Sequence, residues 1–142
     1  MRIAGVVADA NVLLSAAIGK AALRVLTDHD VEVHATRFNC DEVESYLPVL
    51  AAKYRLSREI VEMQWRLLPI RIHAEADYRS RIEDAGLRLA KRDPDDAHPL
   101  ALAMALDLPL WSNDKDLDGH GVACLTTAKL LALLGRRTPA KP

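Results

Sequence analysis

Four acidic groups in this 142-residue chain stand where secondary-structure elements begin or end. Asp9 directly follows the apolar run Ile3 to Ala8 in VVADANVLLSA. Asp114 follows PLWS in WSNDKDL, with Asp116 two residues further on. Asp93, Asp95 and Asp96 cluster in RDPDDAHPLALA, and Glu42 and Glu44 lie in DEVESYLPVL. Carboxylates brought together without matching cations repel one another and raise each other's pKa values. A hard divalent cation relieves that repulsion, and an oxygen-only donor set suits Mg²⁺ or Mn²⁺. Each acid also has a purely structural reading. Asp9 can end a strand, Asp95 or Asp96 can cap a helix, and Asp116 can sit in a solvated turn. Glu42 lies three residues after Asn39, a capping-box spacing that would account for it. The repetition of acids at four element ends weighs against four separate structural explanations.

The elements that would position these acids alternate between strand and helix. Residues 3–8, 31–35, 70–73, 109–112 and 122–125 read as short strands, the first bounded abruptly by a charge. Helical patterns cover residues 20–28, 40–55, 57–68, 78–92, 96–108 and 127–135. Pro48 predicts a kink or break in the second of these, and Ser57 predicts the N-cap of the third. Such alternation predicts an α/β fold, a central parallel sheet with helices on both faces. In such sheets the ligand crevice lies at the carboxyl ends of the strands, so Asp9 and Asp114 are expected to open onto one edge. Residues 1–135 read as one domain, and 136–142, with three cations and two prolines, as a flexible tail.

Composition narrows the choice further. Half the residues are apolar, with 22 leucines and 22 alanines but only six aromatics, which excludes a disordered chain and a Val- and Tyr-rich barrel. Lys and Arg number 19 against 20 acids, a net charge of −1, so any nucleic-acid partner must be held by a local basic patch. Cys40 and Cys124 show no short-range pairing and are expected as reduced, buried thiols in a cytoplasmic protein. The methionines, Trp65 and Trp111 are expected in the core. His98 is expected as a partly exposed histidine at a helix start, and the other histidines show no ligand spacing. The run before Asp9 is too short for a signal sequence, and Pro99 to Trp111 too short for a membrane span.

Taken in order, these motifs resemble the PIN-domain proteins, metal-dependent nucleases that include the VapC toxins of toxin–antitoxin pairs. The resemblance runs from Ile3 to about Leu134. It implies that Asp9, Glu42, Asp96 and Asp114 form the catalytic metal site, with Asp93 and Asp116 as additional acids. It favours Glu42 over Glu44 and Asp96 over Asp95, and it gives Asn11, Ser15 and Ser112 orienting roles. The reaction it implies is RNA phosphodiester hydrolysis with Mg²⁺ or Mn²⁺, leaving 5′-phosphates. Cations at the rim would be needed to hold RNA against an acidic cleft. Arg79, Arg81, Arg88, Lys91 and Arg92 are the candidates, Arg92 first because it directly precedes the acidic motif. The resemblance further implies an antitoxin partner and a homodimer. Three rivals remain: a non-toxin RNA-processing nuclease of this family, a catalytically silent RNA-binding relative, and a haloacid-dehalogenase-like phosphatase. The last would need an Asp where this chain has Asn11.

Overall fold

The computed structural model describes residues 3–89 and 94–137. Its centre is a five-stranded parallel sheet: β1 (Gly5–Ala8), β2 (Glu32–Thr36), β3 (Ile70–His73), β4 (Leu110–Trp111) and β5 (Cys124–Leu125). The strands lie in the order β3-β2-β1-β4-β5. The chain therefore winds outward in one direction from β1 through β2 and β3, then returns to the other side for β4 and β5. That reversal makes the junction of β1 and β4 the topological switch point, where a crevice opens beyond the strands' carboxyl ends. Asp9 and Ser112 are the residues immediately beyond those two ends.

Every residue of β1 is buried, and its alternation serves two cores. Val6 and Ala8 join Val12, Leu13, Val25, Val43, Leu47 and Leu130 on one face. Val7 joins Leu100, Leu102, Ala103 and Leu110 on the other. The first face carries α1 (Ala10–Ala17), α2 (Ala22–Asp28), α3 (Arg37–Lys53), α4 (Arg58–Leu67) and α7 (Thr127–Arg137). The second carries α5 (Arg79–Arg88) and α6 (Ala97–Leu106). The α/β architecture with helices on both faces is thus as the sequence predicts.

Several local expectations change. Helix α1 has no counterpart among the expected elements, because ANVLLSAA is short and mostly apolar, with Asn11 and Ser15 as its polar residues. The tertiary context decides it: Asp9 caps it and four of its side chains are buried. Helix α3 starts at Arg37, so its N-cap is Thr36 rather than Asn39, and Glu42 falls in its second turn. The Thr36 hydroxyl accepts from the Asn39 amide at 2.9 Å. Pro48 does not end this helix, which continues to Lys53 on the buried side chains of Val43, Leu47, Leu50 and Ala51. Helix α7 runs to Arg137, past the expected domain end at 135, and residues 138–142 of the expected tail lie outside the described residues. Trp65 and Trp111 are core residues as expected, whereas Met63 is exposed. Both cysteines are free thiols, and burial pushes them up to about 12 for Cys40 and about 11 for Cys124, which makes them poor nucleophiles.

Candidate metal and substrate cleft

Asp9 is the hub. It is only 7% exposed, because the chain must leave a fully buried strand and enter a buried helix within one residue. Its Oδ1 accepts from the Val12 amide at 3.0 Å, the N-cap bond of α1. Its backbone amide donates to the Trp111 carbonyl at 3.2 Å, tying the end of β1 to the end of β4. The carboxyl is held above the ordinary Asp value, chiefly by burial. Hydrogen bonds from Ser112 and Val12 oppose that rise, and the charges of Asp96 and Asp114 add to it. Among the described residues, the charges acting on Asp9 are thus both acidic.

Ser112 is fully buried at the end of β4 and serves two acids at once. Its hydroxyl donates to the Asp9 carboxylate and its oxygen accepts from the Asp114 amide at 3.0 Å. Asp114 in turn caps the short 3-10 turn Lys115–Leu117, its Oδ1 accepting from the Asp116 amide at 3.0 Å.

Glu42 arrives from α3. The Asn39 amide donates to Glu42 Oε1 at 2.8 Å, one helical turn before it. Glu44 takes another direction: its Oε1 accepts from the Trp65 indole at 3.2 Å, bracing α3 against α4. That contact separates the two glutamates, which sequence pattern alone leaves open. Asp96 ends the 3-10 turn Pro94–Asp96 and stands just before α6. Its side chain does not cap that helix, contrary to the structural reading of the sequence.

These residues meet. A small cleft of about 180 Å³ is lined by Asp9, Asn11, Asn39, Glu42, Asp95 and Asp96. Asp114 stands near enough to act electrostatically on Asp9 without lining the cleft. Asn11 is an exposed lining residue, whereas Ser15 lies outside the lining and makes no side-chain bond to Asp9. Asp93, Lys91 and Arg92 lie outside the described residues.

Arg88 is a correction. Its Nη1 donates to the His120 carbonyl at 2.7 Å, and Nε and Nη2 reach Asp84 at 3.3 Å. It lines a separate cavity of about 670 Å³ with Arg81, Ile3, Pro109 and Ala123. Ile3, Pro109 and Ala123 precede β1, β4 and β5, so this cavity opens at the amino edge of the sheet, opposite the acidic cleft. Arg79 pairs with Glu75 at 3.8 Å. Sequence reading also missed Asn39 and Thr36 as parts of the site. Their signal was the overlapping spacing Thr36-x-x-Asn39-x-x-Glu42, a cap followed by a one-turn contact. Two of the four histidines without ligand spacing, His34 and His73, pack side by side with ring nitrogens 2.9 Å apart. His98 is half-buried at the start of α6, as expected.

The donor chemistry fits a hard divalent cation: buried Asp9 under acidic charge, with carboxylates and side-chain amides as the polar groups of a lining completed by Ala10 and Pro99. Among the described residues, no three acidic, His or Cys side chains form a closed ligand cluster. One or two carboxylates with retained waters is the mode that suits Mg²⁺, which dehydrates reluctantly. Among the described residues, no single helix is long and apolar enough to cross a membrane.

Comparison with known proteins agrees with this architecture. No curated protein matches the chain. Among solved structures, a toxin–antitoxin complex from Klebsiella pneumoniae is similar at 22% identity and a TM-score of 0.63, covering 86% of this chain and 97% of that one. A Pyrobaculum aerophilum protein is similar at 15% identity and a TM-score of 0.71, covering 95% and 91%. At such identities the likeness shows the shared fold. The PIN-domain family model matches residues 7–135, nearly the whole chain and all four acidic groups, and the chain belongs to the PIN-domain family.

Proposed function

We infer that this protein is an endoribonuclease dependent on Mg²⁺ or Mn²⁺, acting as the toxin of a toxin–antitoxin pair, with residues 1–135 as its catalytic domain. The observation that carries this reading is the meeting of Asp9, Glu42 and Asp96 from three separate elements in one cleft at the β1/β4 switch point, with Asp114 behind Asp9. Asp9, Glu42, Asp96 and Asp114 would hold the cation, directly or through water. A bound divalent ion supplies a water of lowered pKa and neutralises charge on the phosphate and leaving oxygen.

The chain's own residues do the positioning. Ser112 and the Val12 amide hold the Asp9 carboxylate in one orientation, and Asn39 holds Glu42. Asn11, exposed in the lining, would bond a water or a phosphate oxygen. With Arg88 and Arg81 on the far edge, Lys91 and Arg92 are the cations assigned to the RNA backbone. Their place in sequence, just before Pro94–Asp96, supports the assignment. Likeness to a chain from a toxin–antitoxin complex supports an antitoxin that covers the cleft, and the family resemblance supports a homodimer.

Incubation of a mixed RNA pool with the purified protein and Mg²⁺ or Mn²⁺ tests the reading, with EDTA and an Asp96→Asn variant as controls. Fragments bearing 5′-phosphates are expected from the parent alone, with a loss of about 100-fold or more in the variant, several kcal/mol of transition-state stabilisation. Cleavage that persists in both controls overturns the metal site. RNA binding without cleavage indicates a silent family member, and hydrolysis of small phosphate esters indicates a phosphatase.

A further inference from the structure

Helix α4 carries two apolar stripes, and the domain core uses one of them. Val61 and Trp65 are buried, as is Leu68 at the helix end. Ile60, Met63 and Leu67 lie on another side of the helix, 66%, 52% and 71% exposed. Leu56, just before the Ser57 N-cap, is exposed as well. From Leu56 through Ile60 and Met63 to Leu67 the steps are four, three and four residues, the a/d rhythm of a two-helix seam. Single exposed apolar residues are ordinary on a protein surface, but a stripe of them in this spacing marks a contact face. One stripe is enough to hold a surface helix to its own core, so the second is available to another helix.

The charges of α4 say which helix that is. Arg58 and Glu62 pair with each other at 2.8 Å, one turn apart. Glu59 and Arg66 instead flank the exposed stripe, each directly preceding one of its residues, Ile60 and Leu67. Seven residues separate them, about 10 Å along the axis, too far to pair within one helix. Glu59 accepts from the Ser57 hydroxyl at 3.1 Å, and among the described residues Arg66 has no carboxylate within ion-pairing distance. A second copy of α4 laid antiparallel supplies both partners. In that register Ile60 meets Met63 of the other copy, Leu67 meets its Leu56, and Glu59 of each copy comes beside Arg66 of the other. A parallel pair would set Glu59 against Gln64 and give Arg66 no acid. The flanking charges therefore select the antiparallel arrangement, and a two-fold axis forms every such contact twice.

We propose that the exposed face of α4 is a self-complementary dimer interface, two α4 helices packing antiparallel with Ile60 and Met63 astride the two-fold axis and a Glu59–Arg66 ion pair on each side of it. The bond from the Trp65 indole to Glu44 braces α4 against α3, so the stripe is presented on a fixed support. No residue lining the acidic cleft belongs to α4, and the seam uses none of the side chains assigned to the cation.

This proposal rests on the homodimer of the functional reading and names its surface, and the test keeps the two apart. Sedimentation equilibrium of the full chain over a concentration series measures dimerisation in the parent, Glu59→Arg, Arg66→Glu and the double variant. All the substituted positions are exposed, and circular dichroism checks that each variant folds. The parent is expected to dimerise. Either single reversal sets two like-charge contacts in the seam and should raise the dimer Kd by about 10-fold or more. The double variant exchanges the two signs and should return to within about threefold of the parent. Mixing the two single variants should give a 1:1 heterodimer tighter than either homodimer, because both ion pairs re-form only between unlike chains. Met63→Glu, which sets a charge against Ile60 of the other copy, should leave a monomer. A dimer whose Kd ignores both reversals overturns the proposal and leaves the homodimer to another face. Single variants that weaken but do not recover on mixing overturn the antiparallel register, and with it the proposal. A parent that stays monomeric overturns the proposal and the homodimer together. RNA cleavage enters none of these readouts, so the nuclease reading stands or falls separately.

Discussion

The Ser112 hydroxyl, at the end of β4, donates to the carboxylate of Asp9, at the end of the neighbouring β1. The same oxygen receives the Asp114 amide at 3.0 Å, so one buried hydroxyl organises two of the acids at the switch point. Replacing it by Ala strands a buried N–H and removes a donor from a buried carboxylate. Ser112→Ala is expected to lose about 1–3 kcal/mol of stability in urea unfolding, the usual cost of an unsatisfied buried group. Its Mn²⁺ affinity should fall by about 10- to 100-fold, measured by calorimetry.

Asp9 itself is expected to trade stability for function. Its charge is disfavoured by burial and by Asp96 and Asp114. Asn is as good an N-cap as Asp and can still accept from Val12 and Ser112. Metal-free Asp9→Asn should therefore be at least as stable as the parent by thermal unfolding. Saturating Mn²⁺ should then raise the melting temperature of the parent alone, by about 2.7 kcal/mol of linkage at a hundredfold excess over Kd.

Acid should loosen the edge of the sheet through His34. Burial, followed by the neighbouring His73 charge, lowers His34 below its ordinary value of 6.5, and Arg71 acts in the same sense while Glu32 opposes it. Because the folded-state value lies below the unfolded one, the unfolded chain binds more protons between the two. The contribution is therefore complete above 6.5 and is lost as pH falls through the folded value. His73 shares this edge, its Nδ1 3.2 Å from Asp77. His34→Gln should flatten the loss of stability on acidification below about 6.5, read from urea midpoints across a pH series.

Arg88 is expected to matter for folding and not for RNA. It ties α5 to the loop before β5 through the His120 carbonyl, and it lies against Gly121, whose φ is +88°. Arg88→Ala should cost about 0.5–1.5 kcal/mol in chemical denaturation and leave KM for RNA within about twofold. Gly121→Ala should cost more, about 1–3 kcal/mol, because a Cβ there is strained by φ and collides with the guanidinium.

Much of the molecule was legible before any coordinates. The run Ile3 to Ala8 stopping at Asp9 announces a buried strand that delivers an acid, because a fully buried parallel strand must be apolar on both sides and end at a polar turn. The alternation of strands and helices determines a parallel sheet, and a parallel sheet puts Asp9 and the residues after β4 on one edge. Those inferences use periodicity inside single elements and chain connectivity, both of which are local.

Tertiary structure decided what depends on contacts between elements. Glu42 and Glu44 are two residues apart on one helix, and only the crossing of α4 gives Glu44 the Trp65 indole and leaves Glu42 to the cleft. Pro48 is tolerated because the buried face of α3 outweighs one missing helix bond, a balance invisible to propensity. Helix α1 forms from a short, mostly apolar stretch because both its cap and its burial come from its neighbours. Arg88 and Asp96 are close in sequence, yet Arg88 lines a cavity at the amino edge of the sheet, and Asp96 lines the cleft at the carboxyl edge. A sequence records which side chains share a face of one element. Which of them meets a partner is set by how elements cross, and crossing is a property of the packed core.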